Sequence, residues 1–165
     1  MTTPSRSKKL PAPIDSPERR RLPVLLRQAW YGLNQAFRRR IAHLDLTPDQ
    51  FTAMRNLLEA GEITQSELTQ RMTSDPNTVA SLLERMERAG LVERRPHEKD
   101  RRAHRICVLP AGKRRYAEAR QVALALQAEV LSGLTERRRE QFLQQLQAVA
   151  ESCREAVESS SKRGT

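Results

Sequence analysis

Residues 64–109 read TQSELTQRMTSDPNTVASLLERMERAGLVERRPHEKDRRAHRICVL, and their order decides the fold. Thr64, with Glu67 three residues on, forms a capping box that satisfies backbone N–H groups at the start of a helix. That helix runs through Met72 and turns Leu68 and Met72 inward. The chain breaks at Thr73 and Ser74, and Asp75-Pro76 then supplies an N-cap and a first-turn proline. Val79, Leu82, Leu83 and Met86 give the second helix a buried face until Gly90 stops it. Two strand-like runs follow, Leu91 to Arg95 and His104 to Leu109, around a charged tip containing Pro96 and Asp100 that cannot fold inward. A helix, a turn, a second helix and a hairpin make a winged helix-turn-helix, a shape that presses one helix into the major groove of double-stranded DNA.

Working outward, Leu26, Trp30, Leu33, Phe37, Ile41 and Leu44 recur at spacings of three and four, which gathers them on one face of a long helix. The next helix opens with Thr47 as N-cap, Pro48 at the first position and Gln50 to close a capping box. Phe51, Met54, Leu57 and Leu58 form its inner stripe, and Gly61 ends it. Beyond the hairpin, Tyr116, Ala119, Ala123, Leu126 and Val130 form one helical stripe, and Phe142, Leu146, Val149, Cys153 and Val157 another, with Thr135 as the cap between them. The expected fold is mainly α with a small β-hairpin wing. Its parts are a flexible basic arm (1–21), an N-terminal dimerisation helix (22–45), the winged helix-turn-helix domain (46–110), C-terminal dimerisation helices (111–158) and a flexible tail (159–165). The flanking helices carry more apolar stripe than one small domain needs, so a homodimer is expected, each copy reading half of a palindromic site.

Composition agrees. In 165 residues, 30 Lys and Arg against 20 Asp and Glu leave a formal charge of +10, the balance expected of a chain that meets a polyanion. Aromatic residues make up 4%, which disfavours proteins that stack successive bases of single strands. Cys107 and Cys153 are far apart and form no CxxC pair, no apolar run is long enough for a membrane span, and no apolar stretch follows the charges of residues 1–21. A soluble cytoplasmic protein without membrane partners is expected. No Gly-rich phosphate loop, HExxH or GxSxG occurs, so neither catalysis nor a cofactor is expected. His97, His104 and Cys107 are a thin metal set, because the latter two point to opposite faces of a strand, and Cys107 is expected to pack inward. Cys153 is expected in the core.

With the apolar face of the second helix removed, Asn77, Thr78, Ser81, Glu84 and Arg85 face outward. Asn77 suits adenine edges and Arg85 guanine, while Thr78 and Ser81 can reach bases or phosphates. Helix capping is the competing duty for Asn77. Thr64, Gln65 and Ser66 at the preceding helix, with Thr73 and Ser74 in the turn, are candidate phosphate contacts. In the hairpin, Arg94, Arg95, Lys99, Arg101, Arg102 and Arg105 outnumber Glu98 and Asp100, so the tip suits the narrow minor groove beside the recognition helix. A solvated charge run is the bland alternative. A sequence-indifferent, nucleoid-like basic protein would share the charge but not the preference for a site.

The segments DPNTVASLLERMERAGLVERRP and DRRAHRICVLPAGK, within Leu46 to Gly112, resemble the MarR family of bacterial transcription regulators. The resemblance implies a dimeric winged-helix regulator, usually a repressor. It nominates Arg102 as the minor-groove reader and Asp100 as the carboxylate that braces an arginine. It also implies a cleft for a small aromatic or anionic effector, with Trp30, Tyr31, Asn34, Phe37, His43, Phe51 and Met54 as candidate lining residues, for most of which core packing is the competing role. Pro110 stands where the family commonly has a capping Thr, which shifts the expected start of the next helix by a residue or two. The cysteine used by peroxide-sensing relatives has no counterpart in the N-terminal helix.

Overall fold

The computed structural model describes residues 21–96 and 104–163. In chain order these form α1 (Arg21–Ile41), a 3₁₀ turn (Ala42–Leu44), α2 (Pro48–Ala60), β1 (Ile63–Thr64), α3 (Gln65–Arg71), α4 (Pro76–Arg88), β2 (Val92–Pro96), β3 (His104–Val108), α5 (Pro110–Val130) and α6 (Glu136–Arg163). Two compact units divide the chain, one ending at Arg120 and the other beginning at Gln121, so α5 contributes to both. No helix among the described residues is long and apolar enough to cross a membrane.

The first unit follows its caps. Thr47 accepts from the Gln50 N–H at 3.2 Å while its own N–H donates to Gln50 Oε1 at 2.9 Å, so both halves of the expected capping box form. Ile41, Met54, Leu68, Val79, Leu83, Met86, Leu91 and Ile106 are fully buried and bring α1 to α4 and the sheet around one core. Phe51 joins three helices: its ring lies 4.9 Å from Phe37 edge-on and 5.1 Å from Tyr116 in a stack. Met72 is only half-buried, because it falls at the C-cap of α3 rather than inside the helix. Leu58 is likewise half-buried.

The sheet has three strands in the order β1-β3-β2, one more than the expected hairpin. β1 pairs antiparallel with β3 through Ile63 opposite Ile106 and Thr64 opposite Arg105. A two-residue strand carries too little alternation to stand out in a sequence. Its one signal is the β-branched pair Ile63-Thr64 between Gly61 and the cap of α3.

Two glycines are held by geometry. Gly90 sits at φ 66 and closes α4, with its N–H on the Glu87 carbonyl and the Leu91 N–H on the Met86 carbonyl, both at 2.9 Å. Gly112 lies against Leu91, just before β2, and the end of β3, where an added Cβ would overlap the Leu91 carbonyl oxygen and come within 2.9 Å of Val108 Cγ1. The helix containing it starts at Pro110: proline suits the first helical position, and the Leu109 carbonyl takes the first helical bond from Lys113 at 2.9 Å.

In the second unit, Arg139 Nε donates to the Leu131 and Leu134 carbonyls, each at 2.9 Å, and so closes the turn before α6. The Thr135 carbonyl accepts the first bond of that helix from Arg139. Here the structure departs from two expectations. α6 continues to Arg163, through residues expected to be tail, and Phe142, Leu146, Cys153 and Val157 are exposed, so Cys153 is not a core residue of the single chain. The same holds in α1, where Phe37 and Ile41 are buried but Leu26, Trp30 and Leu33 are exposed. Helical periodicity shows that a face is apolar, not whether the same chain covers it.

Candidate nucleic-acid interface

The helix expected to meet DNA is α4. Asp75 caps it by accepting the Thr78 N–H at 2.9 Å, with Pro76 at the first position. Hydrogen bonds from Thr78, side chain first and backbone N–H second, hold the Asp75 carboxyl below the usual carboxylate range. The cap therefore persists through neutral pH and is lost as acid protonates it. Because Asp75 supplies the cap, Asn77 is not needed for it, and its side chain is exposed. Val79, Leu82, Leu83 and Met86 are buried on one side, and Asn77, Thr78, Ser81, Glu84 and Arg85 are exposed on the other. The helix is thus pinned from behind, with its polar face outward.

α3 supports it. Its capping box is complete: the Glu67 N–H donates to Thr64 Oγ1 at 3.3 Å, and the Thr64 N–H and hydroxyl donate to Glu67 Oε2 at 2.7 and 2.8 Å. The Thr64 backbone bond, then its hydroxyl, lowers the Glu67 pKa. Thr64 is therefore engaged locally, whereas Gln65 is half-buried and Ser66 exposed.

The turn between the helices holds an unusual residue. Thr73 adopts φ 50; its N–H donates to the Gln70 carbonyl at 3.1 Å, and the Ser74 N–H to the Thr69 carbonyl at 3.2 Å. This is a Schellman closure, which ordinarily favours glycine at the left-handed position. A β-branched side chain there is strained. Thr73→Gly is accordingly expected to raise unfolding stability by about 0.5–1 kcal/mol in a denaturant titration. If Thr73 touches phosphate, the same variant binds DNA less tightly, a pairing of effects that strain relief alone does not produce.

The wing arginines divide into two sets. At its base, Arg94 Nη1 lies 3.0 Å from Glu87 Oε2 and ties β2 to α4. Arg95 faces Arg105 across the β2–β3 ladder. Arg95 Nε donates to Glu93 at 2.7 Å and its Nη1 lies 3.6 Å from Glu62, while Arg105 Nη1 lies 3.9 Å from Glu62. Lys99, Asp100, Arg101 and Arg102, with His97, lie outside the described residues. The carboxylates of Glu62, Glu87 and Glu93 escaped the sequence reading. Alternation along the hairpin would have pointed to Glu93, on the face of Arg95, but not to Glu62, which comes from outside the hairpin.

Cys107 meets its expectation in burial but not in the face of the sheet that it occupies. It is buried, yet lies opposite Glu93 and on the face of Arg95 and Arg105, away from the Ile106 face that packs on the core. Burial pushes its thiol pKa up, and a hydrogen bond to Glu62 adds to the effect. The thiol therefore stays protonated and poorly nucleophilic at neutral pH. In a timed alkylation read by peptide mass spectrometry, buried Cys107 should be modified much more slowly in the folded chain than in the urea-unfolded one; equal rates would contradict this packing.

The seven candidate cleft residues do not share one environment. Phe37, Phe51 and Met54 are buried in the first unit, Asn34 is half-buried, and Trp30, Tyr31 and His43 are exposed.

Known proteins are similar to this chain in sequence and in fold. A family model described as MarR family matches residues 46–104. The transcriptional regulator HosA of Escherichia coli O127:H6 is 30% identical over 126 residues, covering 73% of this chain and 93% of HosA. The uncharacterised HTH-type regulator YsmB of Bacillus subtilis is 41% identical over 69 residues, but the match spans only 42% of this chain and 47% of YsmB. Among solved structures, a MarR family protein from Bacillus stearothermophilus is 31% identical with TM-score 0.69, covering 81% of this chain and 94% of that one. A mutant MarR from Escherichia coli, solved in complex with operator DNA, shares the fold at TM-score 0.73 and 24% identity, over 78% of this chain and 92% of the other.

Proposed function

The chain belongs to the MarR family of transcriptional regulators, and from that premise we propose that it is a repressor which binds a pseudo-palindromic operator as a homodimer and lets go when a small ligand binds. As a family member it is a DNA-binding regulator, not an enzyme. The observation that carries the mode of binding is the division of α4 into a buried face and an exposed Asn77, Thr78, Ser81 and Arg85 face. On this reading Asn77 and Arg85 read base edges, and Thr78 and Ser81 bases or phosphates. Ser66, Thr73 and Ser74, with Gln65 and the already engaged Thr64, flank the backbone. Lys99, Arg101 and Arg102 serve the minor groove, with Asp100 as brace. Arg94, Arg95 and Arg105 reach phosphate only by exchanging a carboxylate partner.

The dimer is supported by the apolar residues each chain leaves uncovered. Leu22, Leu25 and Leu33 on α1 and Phe142, Leu143 and Leu146 on α6 are all exposed, an amount that soluble single chains seldom tolerate. An isologous pair would cover them and set two copies of α4 against successive turns of one duplex. Sedimentation should then give a particle of twice 18.9 kDa. The effector reading narrows to Trp30, Tyr31, Asn34 and His43, the cleft candidates with reachable surface, and Trp30, the single tryptophan, would report an aromatic ligand by its fluorescence. The cytoplasm follows as the compartment of a chromosomal repressor.

The deciding experiment selects bound fragments from the source genome and titrates them at fixed salt beside a random duplex. Arg102→Ala is expected to cost about 1–3 kcal/mol of operator binding with the dimer intact. Equal affinity for operator and random duplex would instead favour a sequence-indifferent, nucleoid-like protein.

A further inference from the structure

The outer face of the sheet keeps two like charges directly opposite each other. Arg95 and Arg105 form a cross-strand pair on the rung next to the Pro96–His104 rung from which the wing tip departs. Like charges so placed weaken a sheet. Glu62 and Glu93 offset that cost: Glu93 lies 2.7 Å from Arg95 Nε, and Glu62 lies 3.6 Å from Arg95 and 3.9 Å from Arg105. Residues kept against a local rule of stability point to a use outside the fold.

Resting on the DNA-binding reading above, we propose that Glu62 and Glu93 are selectivity determinants of the wing, internal competitors that occupy Arg95 and Arg105 until a well-placed DNA phosphate displaces them. The two carboxylates and two guanidiniums sum to zero charge, so a passing duplex gains little from this part of the wing. Only when α4 and the wing tip are seated is a phosphate held close enough, for long enough, to take a carboxylate's place. The Glu93 hydrogen bond, which raises the Arg95 pKa, shows how closely the acid is engaged. Non-specific binding, which is almost wholly electrostatic, is thereby held down more than operator binding.

The test uses the 165-residue chain with Glu93→Gln and, separately, Glu62→Gln. Each removes one negative charge while keeping an oxygen acceptor. Binding to a random-sequence duplex and to the selected operator is measured across a salt series. Each variant is expected to bind the random duplex about three- to tenfold more tightly at low salt, to steepen its log–log salt slope by about 0.9, and to lower the operator-to-random ratio. Adding Arg95→Gln to Glu93→Gln should return the random-duplex affinity and the steepness of the salt slope to the wild-type values or below. A purely structural role predicts a lower melting temperature with random-duplex affinity and slope unchanged, and that result would overturn the proposal. If wild type binds both duplexes and the glutamine variants match it, only this inference fails. If wild type binds neither, the DNA-binding reading fails with it.

Discussion

Leu83→Ala is expected to lower unfolding stability by about 2–5 kcal/mol. Leu83 is fully buried at the centre of the α4 face that packs on the core, beside Val79, Leu82 and Met86, all of them buried. Truncation removes the transfer free energy of the lost carbons and leaves a cavity that close-packed neighbours only partly fill. The site has little freedom to collapse. α4 is held at one end by Asp75 and at the other by the Gly90 closure and the Glu87–Arg94 ion pair. Urea unfolding followed by circular dichroism measures the change, and a loss below about 1 kcal/mol would show that α4 is not seated as described.

On the opposite face, Asn77→Ala and Arg85→Ala should each leave stability within about 0.5 kcal/mol while weakening operator binding by about 1–3 kcal/mol. Both side chains are exposed, and the cap belongs to Asp75, so neither truncation opens a cavity or strips a helix end. Their losses should differ in kind from that of a phosphate contact. A base reader loses discrimination at one operator position with its salt slope unchanged, whereas a phosphate contact weakens every sequence and lowers the slope by about 0.9. Operator titrations with single-base substitutions separate the two. Uniform loss across all sequences would move Asn77 or Arg85 from base reading to the backbone. Leu83 and Arg85 are near neighbours in sequence, yet one is buried in the core and the other is exposed, where the proposed reading puts the DNA.

What the chain's order of residues determined by itself was whatever closes within a turn or two of helix. Thr47 with Gln50, Thr64 with Glu67, and Asp75 with Pro76 all stand where their spacing put them, because a cap and the groups it satisfies lie three or four residues apart. The buried face of α4 was legible for the same reason: a period of 3.6 assigns every side chain of a helix to a side. Only the tertiary structure decided matters between residues remote in sequence. β1 exists because β3 offers it hydrogen bonds, Glu62 meets Arg95 and Arg105 because that pairing brings it across the sheet, and Cys107 lies on the charged face because the β2–β3 register puts it opposite Glu93. The apolar stripe of α6 shows the same divide, since spacing made it apolar but only packing left it exposed. Local hydrogen bonds choose their partners by distance along the chain; strand pairs, ion pairs and burial choose them by distance in space, which no short stretch of sequence contains.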